Sequence, residues 1–503
     1  MDSKSLIKPL RLLVALAVVT SLVQAQVPQY TITDLGAFGV LVNPWSEGYG
    51  INNTGQVTGY FAFPSDSSYH AFRYSGGSMV DLGTLGGPGT SSYGYGINDA
   101  GQVVGSSYIA GNSDQHAFLY SGGSMVDLGT LGGSNSYAND INNAGQVVGS
   151  SYITGNSATH AFLYSGGIMT DLGTLGGTHS GANGINNIGQ VTGSSRITGS
   201  TASHAFLYSG GSMVDLGTLG GTTSIGYGIN DAGQVTGASY ITGNSTQHAF
   251  LYSGGIMTDL GTLGGIFTWG EGINNAGQVV GTSNLADGSG SHAFLYSGGT
   301  MYDLNDLVGP SPIATIINAH DINDSGQIVA TGYVGNWSHA LLLTPIPEPE
   351  IAVRGNGVNI ADGDSTPSLS DHTNFGTVLV SSGSMSRTFT IANLGATTLN
   401  LTSNPRVAVG GAHAGDFTVT TQPAATVAAG GSTTFTVVFD PSALGTRTAT
   451  LSIVNNDSDE NPFNFTIQGN GGEFAVTPSP GPNGSLSPNT PQAVMALNYR
   501  IKP

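Results

Sequence analysis

"YTITDLGAFG", Tyr30 to Gly39, is a fragment out of place. Its Asp34-Leu35-Gly36 belongs to a longer phrase that returns further on, "HAFLYSGGSMVDLGTLGG" from His116 to Gly133. Copies of that phrase begin at His70, His116, His160, His204, His248, His292 and His339, at intervals of 46, 44, 44, 44, 44 and 47. The Asp-Leu part follows only six of them, at Asp81, Asp127, Asp171, Asp215, Asp259 and Asp303. The seventh copy, "HALLL", runs into "TPIPEPE" without it, and the missing piece stands at Tyr30. A linear solenoid has no reason to give its first strand to its last unit. A ring does, because the donated strand covers an open edge and closes the circle. The reading is therefore an all-β chain whose residues 27–344 form a seven-bladed β-propeller, with Tyr30–Leu35 completing the last blade. An open β-solenoid is the competing architecture.

Each unit supplies four strand-like pieces of the size a propeller blade needs. In the third unit these are "ANDIN", "QVVGSSYI", "HAFLYS" and "IMTDLGTL". Gly145 ends a bulged turn and Gly166-Gly167 makes a two-residue hairpin. No helical period appears. The "GIN" strand, rich in small residues, suits the crowded axis, and the "VDLG" strand suits the rim.

The His and Asp of each copy invite a metal reading. Zinc gathers mixed ligands around one point, whereas these residues recur about 44 apart, on separate blades. The Asp lies eleven residues after the His, across the Gly-Gly hairpin. A structural hydrogen bond within each blade is the simpler expectation.

The "HAF" units, with "GIN-D/N-AGQVVG" and "DLGTLGG", resemble the HAF family of extracellular repeats. The resemblance implies a secreted bacterial protein and supplies no catalytic residues to transfer.

Composition narrows the partners. The net charge is −19 and the chain has no cysteine. Between Val27 and Thr344 the cations are Arg73 and Arg196 alone. Nucleic-acid binding, which needs many phosphate-neutralising cations, is excluded on this count, and so is attraction to anionic lipid. Residues 1–25 have the form of an export signal: Lys4, Lys8 and Arg11, then an apolar run, then Val23-Gln24-Ala25. No later stretch has membrane-spanning length. Packing, not disulfides, must stabilise the fold.

The copies agree in their turns and differ after "LGG" and before His. Read as loops on one face of the ring, the differing segments form a binding face. It carries Trp45, Tyr93, Tyr95, Tyr137, Asn139, Asp140, His179, Tyr227, Phe267, Trp269 and Glu271. Aromatics beside carboxylates and amides suit an extracellular glycan or a surface protein. No Gly-x-Ser-x-Gly or His-Glu-x-x-His motif is present. The functional expectation is a secreted, non-enzymatic binding or adhesion protein without a cofactor. A propeller-type polysaccharide hydrolase or lyase is the alternative.

After a Pro-rich linker at 345–350, the repeat stops. Residues 351–470 alternate as a β-sandwich does, with Phe435, Val437 and Phe439 on one side. "DGDSTPS", "FTIANLG" and "VVFDPSALG" resemble the choice-of-anchor D domain, related to ASH-type Ig-like modules, which implies an adhesive or spacer role. Two acidic groups, Asp362 with Asp364 and Asp457 with Asp459 and Glu460, have oxygen chemistry that Ca²⁺ could use, but they do not match an EF-hand loop, and solvated loop charge is the favoured account. Residues 471–503, rich in Pro, Gly and Ser, read as the truncated start of another surface repeat.

Overall fold

The computed structural model describes residues 29–36, 45–63, 68–111, 113–309, 313–380, 383–457, 459–476 and 492–494. The export signal expected at 1–25 lies outside them, as does most of the tail. The chain divides into one unit at Val27–Ile346 and a second that contains Pro347–Pro503.

The first unit is a ring of seven antiparallel blades. In the third, Gly132–Ile141, Val147–Ile153, Thr159–Ser165 and Ile168–Asp171 pair in that order, from axis to rim. The seventh has Ile313–Ile322, Ile328–Val334 and Trp337–Pro345, and its fourth strand is Tyr30–Gly36. Tyr30 pairs with Pro345 and Asp34 with Leu341, so the displaced phrase completes the last blade. Each blade stays an open sheet, and the ring closes by packing blade against blade.

Two cyclic hydrogen-bond systems show that closure. The buried Asn52, Asn98, Asn142, Asn186, Asn230, Asn274 and Asn323 each donate Nδ2–H to the backbone carbonyl of the next, and Asn323 returns to Asn52 at 3.0 Å. One residue on, each backbone N–H donates to the side-chain oxygen of the next blade's Asn or Asp, from Asn53 to Asp324 and back to Asn53. The first ring is buried and the second lies at the surface, and a fully paired buried network specifies one arrangement.

Packing repeats with the same period. Phe118, Phe162, Phe206, Phe250 and Phe294 are wholly buried between blades, each with an Ile and a Val of its own blade and an Ala and a Leu of the blade before. The His–Asp pairs form as expected. His Nδ1 stands 2.5–2.9 Å from the Asp eleven residues on in six blades. In the seventh, His339 meets Asp34 at 2.9 Å, across the closure. Each of these Asp residues also caps its own turn, as when the Gly129 N–H donates to Asp127 Oδ1 at 2.7 Å.

The inner strands of blades 3 to 7 run longer than expected. The third begins at Gly132, not near Ala138, because Gly132 takes φ +96° and a Cβ on Gly133 would lie 2.5 Å from the Tyr152 Cβ. The residues after Leu131-Gly132-Gly133, read as a loop on one face of the ring, are strand, and pairing already starts at the Gly-Gly bend.

The second unit is a β-sandwich. One sheet orders Val358–Ile360, Ile351–Gly355, Met385–Asn393, Ser432–Phe439 and Phe417–Thr421. The other orders Asn374–Leu379, Phe463–Gly472, Gly445–Ile453 and Ala408–Gly410, with its first pair parallel. Phe389, Phe435, Val437, Phe439, Leu451 and Ile467 are buried between them.

Candidate functional site

The inner strands enclose a cavity of about 530 Å³ on the ring axis. Its wall is set by register: two residues before each strand's last Ile stand Tyr49, Tyr95, Asn139, Asn183, Tyr227, Glu271 and His320, one per blade. The next residue is Gly in five blades and Asp in two, Asp140 and Asp321. Gly is needed there because a Cβ on Gly50 would meet the Tyr95 carbonyl oxygen at 2.6 Å and one on Gly184 the Tyr227 carbonyl oxygen at 2.7 Å.

The two Asp exceptions are stitches between blades. Asp140 accepts the Ile141 and Ile185 N–H groups at 2.7 and 2.8 Å. Asp321 accepts those of Ile322 and Ile51 at 2.9 and 3.1 Å, across the closure. Burial pushes Asp140 up to about 7 and Asp321 up to about 6. The backbone donors oppose that rise without cancelling it.

Blades 6 and 7 add an ion pair. His320 Nδ1 lies 2.8 Å from Glu271 Oε2. Burial alone would lower His320, but the carboxylate beside it outweighs burial and holds the imidazole above its usual range. Thr282 Oγ1 reaches both Glu271 Oε1 at 3.3 Å and Asn318 Oδ1 at 3.1 Å.

Blades 1 and 2 add an aromatic wall centred on Tyr60. Its ring lies 5.2 Å from Trp45, 5.6 Å from Tyr49, 5.9 Å from Tyr69 and 4.9 Å from Tyr93. Tyr49 also meets His320 at 4.6 Å and Tyr95 at 5.3 Å, so the wall runs into the cavity. The Tyr49 and Tyr60 hydroxyls both donate to Glu47 Oε2, at 2.8 and 3.0 Å. Burial, with the Glu47 charge behind it, raises Tyr49 far above the ordinary phenol range. Burial likewise raises Tyr95 and Tyr227, each to about 12.

Of the residues expected on a loop face, Tyr95, Asn139, Asp140, Tyr227, Trp269 and Glu271 line this cavity. All six stand on inner strands. Trp45 and Tyr93 belong to the aromatic wall, Phe267 stacks on Trp269 at 6.0 Å, and Tyr137 lies two residues before Asn139 on its strand. His179 contacts Thr178 and Arg196 in blade 4 and does not line the cavity. Asn139 is spent on structure as well, since its Nδ2 donates to the Ala182 carbonyl at 2.7 Å. Tyr49, Tyr60, Tyr69, Glu47, Asn183, His320 and Asp321 were not singled out from the sequence. Tyr60 carried a signal: the matching residues of the other copies are Ser106, Ser150, Ser194, Ala238, Thr282 and Thr331.

In the sandwich, the carboxylates that gather are Glu350, Asp457, Asp459 and Glu460. Asp362 and Asp364 are not part of that group. Their oxygens take the Asn464 N–H and the Thr366 N–H and hydroxyl.

Comparison with known proteins bears on the fold. Residues 368–470 match the family model described as HYDIN/CFA65/VesB-like, Ig-like domain, so this part of the chain is an Ig-like domain. No curated protein matches the chain. Among solved structures, the chain is similar to the β-propeller domain of the Trilobed protease from Pyrococcus furiosus, described as having an open velcro topology. The identity is 9%, the TM-score 0.40, and the match covers 60% of this chain and 95% of that one. A gluconolactonase from Xanthomonas campestris matches at 11% identity and TM-score 0.33, over 63% and 95% of the two chains. The ASH/PapD-like domain 7 of human CEP192 matches at 15% identity and TM-score 0.18, over 26% and 93%.

Proposed function

We propose that the protein is an exported, non-enzymatic binding protein whose propeller takes a neutral glycan at the axial cavity and its aromatic wall. The observation that carries this reading is the group of Trp45, Tyr49, Tyr60, Tyr69, Tyr93 and Tyr95 around a carboxylate already held by two phenols. Aromatic faces stack on the C–H faces of sugar rings, and Glu47 and Glu271 accept from hydroxyls. The wall supplies Tyr and Trp, which bring large contact area at low entropy cost. Four carboxylates (Glu47, Asp140, Glu271 and Asp321) and no lysine or arginine stand at the cavity and its wall, which disfavours anionic ligands. The HAF-like repeats, the choice-of-anchor D-like module and the signal-like residues 1–25 support an extracellular or cell-surface setting, in which the Ig-like module acts as a spacer.

The test is a glycan array followed by calorimetry on the full chain, with product analysis of each bound glycan. Binding of neutral oligosaccharides without new reducing ends, weakened about tenfold or more by Tyr60→Ser, is the expected result. Cleavage of a bound glycan would favour the hydrolase or lyase reading. Failure of every neutral glycan to bind would end the proposal.

A further inference from the structure

The Ig-like domain holds a carboxylate cage that the propeller's binding role does not use. Glu350 precedes the first strand of the sandwich, and Asp457, Asp459 and Glu460 lie in the hairpin between Gly445–Ile453 and Phe463–Gly472. One oxygen from each of the four lies within 4.8 Å of every other. Four negative charges at that separation repel strongly unless a cation or protons join them. Among the described residues no lysine or arginine pairs with any of them; the arginine ion pair of this domain joins Arg447 to Asp416, elsewhere.

Two further facts point at a ligand. Asp457 is fully buried, and only one of its oxygens is used: Oδ2 accepts the Ile351 N–H at 2.7 Å, while Oδ1 is buried without a hydrogen-bond partner. Glu460 Oε2 is also buried without a partner. A buried carboxylate oxygen left unpaired costs a large desolvation penalty, and native folds rarely leave one so. The surroundings are braced as well. Asn455 accepts the Asp457 N–H at 2.7 Å and donates to the Glu460 carbonyl at 2.9 Å, and Asn393 accepts the Glu350 N–H at 3.2 Å.

We propose that Glu350, Asp457, Asp459 and Glu460 form a Ca²⁺ site that clamps the entry of the Ig-like domain to its 454–462 hairpin. Ca²⁺ takes six to eight oxygens in flexible geometry, and four carboxylates supply up to eight. Mg²⁺ is smaller and demands a near-ideal octahedron with retained water, which suits this crowded all-carboxylate cage poorly. The exposed Asp459 leaves an entry path on one side. Before a cation binds, burial and mutual repulsion push Glu350 up to about 7 and Glu460 up to about 8, so protons are its competitors.

The test uses the full chain stripped with EDTA and then titrated with CaCl₂ by calorimetry, with MgCl₂ as the control. Thermal unfolding is followed in parallel. The expected result is a Ca²⁺ equivalent whose affinity falls about tenfold or more in both Asp459→Asn and Glu460→Gln, with a matching loss of the Ca²⁺-dependent rise in unfolding temperature. Asp459 is exposed, so its variant keeps the fold even if Glu460→Gln does not. Ca²⁺ binding that Asp459→Asn leaves unchanged would place the ion elsewhere and overturn the proposal. So would a chain that takes up no Ca²⁺ and is stabilised only by acidification, because protons would then be the true occupants.

Discussion

The same seven inner strands end in two very different ways. At one end, Ile-Asn followed by Asn or Asp recurs in every blade and ties the strands into two closed hydrogen-bond rings. A few residues earlier the same strands present Tyr, Tyr, Asn, Asn, Tyr, Glu and His, blade by blade, to a cavity, so the wall does not repeat as the rings do. The difference follows from what each end must satisfy. A bond passed from blade to blade is complete only if every blade offers the same donor and the same acceptor. The cavity wall has no such partner, so its residues are free to differ, and the differences collect on blades 1, 2, 6 and 7. Sameness between copies marks the parts that close a circle. Departure from it marks the parts that can recognise something.

The largest expected effect comes from breaking the uniform end at its seam. Deleting Tyr30–Gly36 removes the fourth strand of the last blade and the His339 partner Asp34, and should abolish cooperative unfolding of the propeller in calorimetry. An unchanged transition would mean that the ring does not depend on this strand. Asn142→Ala breaks one link and strips Gln146 Oε1 and the Ala144 and Gln146 N–H groups of their partner. A loss of about 2–3 kcal/mol in denaturant unfolding is expected.

A smaller effect depends on pH. Asp140 and Asp321 hold protons more tightly folded than unfolded, so the stability they add is complete below the ordinary carboxylate range and is lost as pH rises through their raised values of about 7 and about 6. His320, also raised, acts in the same sense: its contribution is complete below the ordinary imidazole range and is lost at higher pH. The propeller's unfolding midpoint should therefore fall between about pH 5 and pH 8. In the Asp140→Asn, Asp321→Asn double variant the fall should shrink, and a slope that the double variant leaves intact would assign it to other groups. Asp127→Ala, which removes a half-exposed partner of His116, should cost about 1 kcal/mol. The smallest change in stability, under about 1 kcal/mol, is expected for Tyr60→Ser, which gives blade 1 the residue found in blades 2, 3 and 4. If that variant unfolds early, the aromatic wall is core and not a recognition surface.

Much of the ring was legible in the sequence because a repeat converts long-range contacts into counting. The displaced Asp34-Leu35-Gly36 told of the closure, and the eleven-residue interval told of the His–Asp pairs. The alternation of Phe435, Val437 and Phe439 told of the sandwich face. The cavity was harder to see. In blades 3 to 6 its residues stand on strands that begin at a Gly-Gly bend, and such a bend looks like the middle of a loop. Tyr49 and His320 sit next to the recurring Ile-Asn, where attention falls on what repeats. Tyr60 departs from its counterparts on a second strand, away from the segments compared. The carboxylate cage joins Glu350 to residues more than a hundred positions later, a distance that no period reports.

The seam has a mechanical side. The chain enters the propeller at Tyr30 and leaves at Pro345, and these two residues are paired neighbours on adjacent antiparallel strands, with the Ile346 N–H donating to the Gln29 carbonyl at 2.7 Å. A pull applied through the two ends would therefore load the hydrogen bonds of that pair one after another, as a zipper opens, and not all together in shear. The ring would let go of its first strand at low force while the six blades made from continuous chain stayed whole, and it could close again when the tension relaxed.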